Sequence, residues 1–460
     1  MRAPACFSLI VLLAACGPAS QPAADSTQRA VPQKENFEKG RVLQLSAAAD
    51  GANSFALYLP ANFDTAKKWP LLVFFDPQAG GSLPLQKYKA IADRYGYVLA
   101  GSNVIKNGMD PRSVTSVANA LITDLQQRLP CDPKRLYLAG FSGGARMAGV
   151  VAAQRQVRGV IGCSAGFVNP QAVQAPGFAC ISIAGLADMN YNESQRQDQA
   201  LREVRGARTA FFSFDGKHEW PPATVMETAI ECLEFYAMRD GLRGNEQFDI
   251  LFESVSRKLD SIKEKDVLAA ADYQQGIMTA MDSANGLFVS WSKLTEFKSR
   301  PAYLAARKSE DRLLMQEQQL QAYFGEAMSS QQLSWWEESL TQIDTSAKLA
   351  PRERLMRRRV WAYLSLVAYS YANQGLQQND QLSAAHFLTL YARVDPKNPE
   401  WAYMRAKFEM NRNDKAKALD ALDKAVELGF RDRRRLEAEP GFKILYTEQR
   451  FQEVLKKIVG

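Results

Sequence analysis

The chain has 460 residues and a formal net charge of +7, with 46% hydrophobic and 23% charged residues. This length exceeds one ordinary core and predicts two or three domains, and the composition is that of a globular rather than a disordered protein. The sequence has no zinc-type Cys/His spacing, no Walker loop and no GxGxxG after a strand. We therefore expect no metal site and no organic cofactor.

One dense basic run, RERLMRRR at residues 352–359, falls at the start of a predicted helix. Such a run is typical either of a patch for nucleic acid or anionic lipid, or of a solvated helix face. Because basic and acidic residues are interspersed along the chain, we favour the solvated face and expect no nucleic-acid partner.

The N-terminus has the pattern of an export signal. Arg2 precedes an apolar run at residues 7–13 that is too short to span a bilayer. The following Leu-Ala-Ala-Cys16 resembles the lipobox of bacterial lipoproteins, which implies a signal peptide at residues 1–15 and a lipid on Cys16 that anchors the chain. Gly17 is not an inner-membrane retention signal, which favours the outer membrane or the periplasmic face. The alternative is an ordinary signal peptide with an incidental cysteine.

Residues 16–40 are rich in Pro, Ala, Ser and Gln, and they are predicted to form a flexible tether. Beyond the tether lie four cysteines, Cys131, Cys163, Cys180 and Cys232, which an exported protein can oxidise. Because Cys163 and Cys180 fall on two successive predicted strands, we expect free, buried thiols there.

Residues 41–240 alternate short apolar runs with amphipathic stretches. Strands are predicted at 55–59, 71–75, 97–101, 136–139, 157–163, 178–183 and 209–214, and helices at 85–95, 113–129, 144–155 and 223–239. The alternation predicts an α/β fold with a doubly wound, mostly parallel sheet covered by helices on both faces.

The motif GFSGG at residues 140–144 falls directly after a predicted strand and directly before a predicted helix. A G-x-S-x-G pattern is weak alone but much stronger in this context, because a nucleophile must stand exposed on a sharp strand-to-helix turn. Ser142 is therefore the candidate nucleophile. The N–H of Gly143, at the start of the helix, is the first candidate oxyanion donor.

A serine nucleophile needs a base, and the chain has only two histidines, His218 and His386. His218 follows the last predicted strand, whereas His386 lies in the helical C-terminal part. Asp188 follows an intervening strand and is the candidate acid; Asp215, three residues before His218, is its competitor. The order Ser142, Asp188, His218 is the one described for α/β-hydrolases.

On these segments, residues 54–240 resemble an α/β-hydrolase of the esterase, polyhydroxybutyrate-depolymerase or dienelactone-hydrolase kind. The resemblance implies Ser142 as nucleophile, His218 as general base and acid, and Asp188 as its orienting partner. It also implies hydrolysis of an ester through an acyl-enzyme.

The chain departs from this pattern after the strand at 71–75. Related enzymes often carry His-Gly there to supply the second oxyanion donor, but this chain has Asp76-Pro77-Gln78. Pro77 has no N–H, so the N–H of Gln78 is expected to take the role. Losing one such donor can lower turnover roughly 100- to 1,000-fold.

After residue 240 the strand pattern ends. Residues 241–350 are predicted to be a helical linker domain, and residues 351–460 show an approximate 34-residue repeat that resembles tetratricopeptide repeats. The resemblance implies a concave surface for a protein or peptide partner; a helical cap over the hydrolase is the alternative. The Trp335–Trp336 pair fits a binding groove or, more commonly, a core.

These patterns predict an exported, lipid-anchored serine hydrolase that cleaves an ester, with a helical repeat module for docking. One alternative is a catalytically inactive binding lipoprotein in which the hydrolase fold is a scaffold and the repeats bind a partner. A peptidase on the same fold is a third possibility.

Overall fold

The computed structural model describes residues 37–168, 177–282, 291–341, 343 and 348–458. Residues Asn36–Gly460 form one compact unit. The predicted signal peptide, most of the tether and Cys16 lie outside the described residues.

Among the described residues, one eight-stranded sheet occupies the N-terminal half of this unit. Its strands are β1 (Val42–Ala47), β2 (Asp50–Tyr58), β3 (Trp69–Phe75), β4 (Val98–Ser102), β5 (Cys131–Phe141), β6 (Gly159–Cys163), β7 (Ala179–Gly185) and β8 (Thr209–Phe214). The spatial order is β1-β2-β4-β3-β5-β6-β7-β8. The six strands from β4 to β8 in this order pair in parallel, and β1 and β2 add an antiparallel edge. The predicted mostly parallel sheet is therefore confirmed.

In the described part of the chain, five helices accompany the strands: α1 (Ser82–Tyr95), α2 (Pro111–Arg128), α3 (Gly143–Ala152), α4 (Tyr191–Arg202) and α5 (Ala223–Arg239). The start of α2 shows how the sequence fixes a boundary. The Asp110 side chain accepts hydrogen bonds from the N–H groups of Arg112 and Ser113, both at 3.0 Å, and Pro111 occupies the first turn.

Both faces of the sheet are buried, and β3 shows this most directly. Leu72 and Phe74 belong to the core on one face, whereas Leu71, Val73 and Phe75 belong to the core on the other. All five side chains are fully buried. A strand buried on both faces needs an uninterrupted apolar run, which explains why its prediction succeeded.

Two elements, β1 and α4, escaped sequence prediction. Strand β1 is an edge strand with a mostly half-exposed face, so its apolar signal is weak. Helix α4 buries polar side chains: Gln197 donates to Ser182 at 3.0 Å, and Asp198 accepts from Thr209 at 2.6 Å. A polar buried face produces no apolar periodicity for sequence analysis to detect.

The rest of the described chain is helical. It comprises α6 (Phe248–Lys263), α7 (Val267–Met281), α8 (Trp291–Ser299), α9 (Pro301–Ser330), α10 (Leu333–Leu340), α11 (Pro351–Gln377), α12 (Gln381–Val394), α13 (Pro399–Asn411), α14 (Lys415–Glu427), α15 (Arg433–Ala438), a 3-10 turn (Pro440–Leu445) and α16 (Gln449–Lys457). We call α6–α16 the helical region. Helices α9–α16 share one apolar core, which contains the fully buried Trp336.

The turns after α11 and α13 have the same construction. Asn379 and Asn413 adopt left-handed backbone conformations with φ of 55° and 59°. Each is followed by an aspartate, Asp380 or Asp414, whose side chain caps the next helix. The turn thus recurs after the 34 residues that the sequence pattern predicts. The assignment to tetratricopeptide repeats, like the boundaries at 240 and 350, stays a prediction.

The solvated-face interpretation of residues 352–359 is wrong for two of its arginines. Arg359 is 1% exposed and is paired with Glu317. Arg352 is ion-paired with Asp266 and lies 3.5 Å from Glu310. These carboxylates come from other helices far along the sequence, so the run itself gives no sign of them.

In the described ranges, no helix combines the length and the apolar character needed to cross a membrane. The same ranges contain no group of three or more His, Cys, Asp or Glu side chains arranged to hold a metal ion.

Replacement of Gly144 by Ala should destabilise the fold. A Cβ on Gly144 would lie 1.9 Å from the backbone oxygen of Phe75, and backbone yields little. We expect a loss of about 1–3 kcal/mol in the free energy of unfolding, measured by urea denaturation. Gly51→Ala is the matched control, because a Cβ there meets nothing within 4 Å. Equal stabilities of the two variants would contradict the close crossing.

Candidate functional site

Ser142 occupies a strained turn between β5 and α3. Its backbone has φ 53° and ψ −122°, a region that non-glycine residues rarely adopt. The turn is held by the Ser142 N–H, which donates to the oxygen of Cys163 at 2.8 Å. Strain of this kind persists only where the surrounding structure enforces it, and it is the feature expected of a nucleophile elbow.

Glycines make this turn possible because the backbones cross too closely for side chains. A Cβ on Gly140 would lie 2.2 Å from the oxygen of Gly144. A Cβ on Gly143 would lie 1.8 Å from Oδ1 of Asn107. Gly140 and Gly144, which meet backbone, are therefore steric requirements of the elbow, whereas Gly143 meets the end of a movable side chain.

The structure brings the three predicted catalytic residues together. His218 Nε2 lies 2.9 Å from Ser142 Oγ, and His218 Nδ1 lies 2.9 Å from Asp188 Oδ1. Asp188 is fully buried, while the His218 side chain is 23% exposed. Both distances are within direct hydrogen-bond reach for a serine–base pair and a base–acid pair.

The loop that carries Asp188 is anchored to the neighbouring strand. Leu186 N–H donates to Phe214 O and Ala187 N–H donates to Gly216 O, both at 2.9 Å. Asp188 Oδ1 also accepts the N–H of Asn190 at 2.8 Å. We call residues 186–190 the acid loop.

His218 is held by an aromatic and polar layer. Its ring lies 4.7 Å from that of Phe141, which in turn packs on Trp220 at 5.6 Å. The indole N–H of Trp220 donates to Asp76 Oδ2 at 2.9 Å. Asp76, which follows β3, thereby fixes Trp220, which packs on the Phe141 ring that contacts His218.

The two competing candidates lie elsewhere. Asp215 is exposed in the loop before His218, and His218 instead pairs with Asp188. His386 lies on α12 with its ring 5.0 Å from that of Phe387, in the helical region.

The two predicted oxyanion donors differ in their availability. The Gly143 N–H, at the first turn of α3, donates to no acceptor among the described residues and is free to bind an anion. The Gln78 N–H instead donates to Asp76 Oδ1 at 2.9 Å. The prediction for Gln78 is therefore corrected, because an Asx-type turn at Asp76 engages its N–H.

Asn107 is a site residue that sequence analysis missed. Its side-chain amide lies against Gly143, because a Cβ on Gly143 would be only 1.8 Å from Asn107 Oδ1. The Asn107 residue is exposed. The Asn107 N–H donates to Pro77 O at 2.9 Å, and Gln78 pairs with Lys106 in an isolated antiparallel bridge. No motif marks Asn107, since it reaches the site from the loop after β4.

The four cysteines of the described residues are free and buried, as predicted for Cys163 and Cys180. Burial raises the pKa of Cys131 to about 12. Burial also raises the pKa of Cys163, and the charge of Asp188 raises it further. These thiols therefore stay protonated and are poor nucleophiles at neutral pH.

A cavity of about 890 Å³ begins beside the acid loop. It is lined by Asn190 and Arg146 and also by Gln318 of α9 and Tyr363 of α11. Its volume is in the range of small-molecule sites. The helical region thus shares the lining of this cavity with the acid loop.

Neither a protein-family model nor a curated protein matches the chain. Several solved esterases are similar over part of it. An esterase from Pyrobaculum calidifontis is 15% identical, over 39% of this chain and 78% of its own, with a TM-score of 0.33. Thermogutta terrifontis esterase 2 bound to butyrate is 15% identical, over 45% and 96%, with a TM-score of 0.36. The feruloyl esterase module from Clostridium thermocellum is 13% identical, over 42% and 86%, with a TM-score of 0.35.

Ser142→Gly should stabilise the protein while removing the hydroxyl. Relief of the positive φ should stabilise the folded state by about 1–3 kcal/mol. The greater conformational freedom of glycine in the unfolded state should offset roughly 0.5–1 kcal/mol of that gain. We expect a net gain of about 1 kcal/mol in the free energy of unfolding. The matched control is Ser142→Ala, which loses the hydroxyl but keeps the strain; an equal gain in both variants would refute the strain argument.

Proposed function

We propose that the protein is a serine hydrolase that cleaves a carboxylic ester through an acyl-enzyme. The observation that carries the proposal is the continuous hydrogen-bonded relay from Ser142 through His218 to the buried Asp188, at 2.9 Å and 2.9 Å. A strained, half-buried serine at a helix N-terminus supports the same function.

In the proposed mechanism, His218 Nε2 takes the proton of Ser142 Oγ as the oxygen attacks the ester carbonyl. Asp188 orients the ring and stabilises the imidazolium that forms. His218 then gives the proton to the departing alcohol, which leaves an acyl group on Ser142. Water, activated by the same histidine, attacks that acyl group and releases the acid.

The oxyanion of the tetrahedral intermediate is proposed to bind the N–H of Gly143 and the side-chain amide of Asn107. Since the Gln78 N–H is engaged by Asp76, a second donor must come from another group. Rotation of the Asn107 side-chain amide by about 180° would place Nδ2 where Oδ1 now lies, against Gly143. The cavity beside the acid loop is proposed to receive part of the substrate.

Export, a lipid anchor on Cys16 at the outer membrane or periplasmic face, and docking through the helical repeats belong to the same proposal. The sequence pattern before residue 40 supports the anchor. A second cavity of about 720 Å³ supports docking, since Tyr371, His386 and Phe387 of α11 and α12 line it.

A binding lipoprotein without catalytic activity is the second candidate. The engaged N–H of Gln78 favours it, because the usual second oxyanion donor is missing from the loop after β3.

A peptidase is a further alternative, because hydrolysis of an amide uses the same triad as hydrolysis of an ester. Comparing activity on peptide substrates with activity on ester substrates distinguishes a peptidase from an esterase.

Labelling by a fluorophosphonate probe tests the proposed nucleophile. Such a probe phosphonylates only an activated serine, so we expect labelling of the wild type and none of Ser142→Ala. His218→Ala should also prevent labelling, because the base is lost. A well-folded wild type that does not react would overturn the enzyme proposal and favour the binding protein.

Asn107→Ala should lower the turnover of a p-nitrophenyl ester roughly 10- to 100-fold, somewhat below the usual cost of an oxyanion donor. The Michaelis constant should change little, because the bond forms only as the oxyanion develops. Lys106→Ala is the control, since Lys106 is the exposed neighbour that pairs with Gln78. Unchanged turnover of Asn107→Ala would exclude the residue as a donor.

A further inference from the structure

A buried arginine of the helical region reaches the acid loop. Arg359 of α11 is 1% exposed, and its Nη1 donates to the backbone oxygen of Leu186 at 2.9 Å. Leu186 precedes the proposed catalytic acid by two residues. The contact joins positions 173 residues apart in the chain.

The same guanidinium is fixed on two further sides. Its Nε donates to Glu317 Oε2 of α9 at 2.7 Å, and Glu317 is fully buried. Its carbon lies 4.8 Å from the ring centroid of Tyr191, the first residue of α4. The N–H of Tyr191 donates to the backbone oxygen of Asp188 at 2.9 Å. Arg359 therefore contacts the chain on both sides of Asp188.

The buried Arg359–Glu317 ion pair is expected to add little to the stability of the fold. Removing two charges from water is costly, and an apolar pair of similar volume often serves the fold as well. Burial raises the pKa of the Glu317 carboxyl, and the charge of Arg359 opposes that rise. The part of the arrangement that an apolar pair cannot replace is the hydrogen bond to Leu186.

The other hydrogen bonds of the acid-loop backbone come from the sheet and from α4. The N–H groups of Leu186 and Ala187 bond to the end of β8 and the residues after it, and that of Asp188 bonds to Gly185. Among the described contacts of the loop backbone, Arg359 supplies the one that comes from the helical region. The position of Asp188 Oδ1 relative to His218 thus depends on both parts of the chain.

We propose that Arg359, held by Glu317, is a positioning residue that fixes the acid loop so that Asp188 meets His218. This inference rests on the proposed hydrolase function. It makes the helical region a structural requirement of the active site, in addition to any docking role. A small misplacement of a catalytic group can cost roughly 100-fold in rate, which sets the expected scale.

The test is the double variant Arg359→Met with Glu317→Leu in the full chain. It removes both charges together, so no uncompensated buried charge remains, and it removes the donor to Leu186. We expect a thermal midpoint close to wild type, with the kcat for p-nitrophenyl butyrate and the rate of fluorophosphonate labelling both reduced roughly 10- to 100-fold. The Michaelis constant should stay within about twofold, since ester binding is not altered.

A second variant, Arg359→Lys, keeps a positive charge beside Glu317. An ammonium group cannot donate in the fork geometry that joins Glu317 and Leu186, so kcat should fall in a folded protein without a change in KM. Arg358→Met is the matched control on the same helix, because Arg358 is exposed; it should keep the wild-type kcat.

Wild-type kcat and labelling rate in both Arg359 variants would overturn the positioning role and leave the proposed function intact. Loss of kcat in the control Arg358→Met as well would also overturn it, since any change on this helix would then suffice. Failure of the proposed function itself has a different signature, which is a folded wild type that neither labels nor turns over the ester.

Discussion

The close crossing of three backbone segments at the end of β5 constrains everything near the triad. Gly144 lies so near the end of β3 that no side chain fits, and Gly140 lies equally near Gly144. Helix α3 therefore leaves the strand at once, and Ser142 at the turn adopts a positive φ, with its hydroxyl 2.9 Å from His218 Nε2. The end of β5, the start of α3 and the backbone conformation of Ser142 therefore all follow from this close approach of the backbones.

Sequence patterns predicted the features that depend on local chemistry. Apolar runs predicted the central strands, and the GFSGG motif with the chain order predicted Ser142, Asp188 and His218, which the structure brings together. The wrong prediction for Gln78 has a local cause, because the side chain of Asp76, two residues earlier, forms an Asx-type turn that engages its N–H. Features set by distant contacts left no pattern. Asn107 reaches Gly143 from another loop.

The basic run at 352–359 shows the same limit in a different form. Charge composition distinguishes a solvated face from a buried one only when the partner charges are nearby in sequence. Arg352 and Arg359 find theirs on other helices, and Arg359 also finds a backbone oxygen of the acid loop. The helical region was expected to dock a partner or cap the hydrolase. Its polar contacts bind it to the acid loop, α4 and α5, consistent with one compact unit over Asn36–Gly460.

The four buried thiols have a consequence for handling the protein. Cys131, Cys163, Cys180 and Cys232 come from β5, β6, β7 and α5, and the folded state keeps them from oxidants and from one another. An unfolded chain exposes all four together, and under oxidising conditions exposed thiols form non-native disulfides that oppose refolding. Under such conditions the lifetime of the native fold is set by its unfolding rate. Recovery after heating should require a reductant.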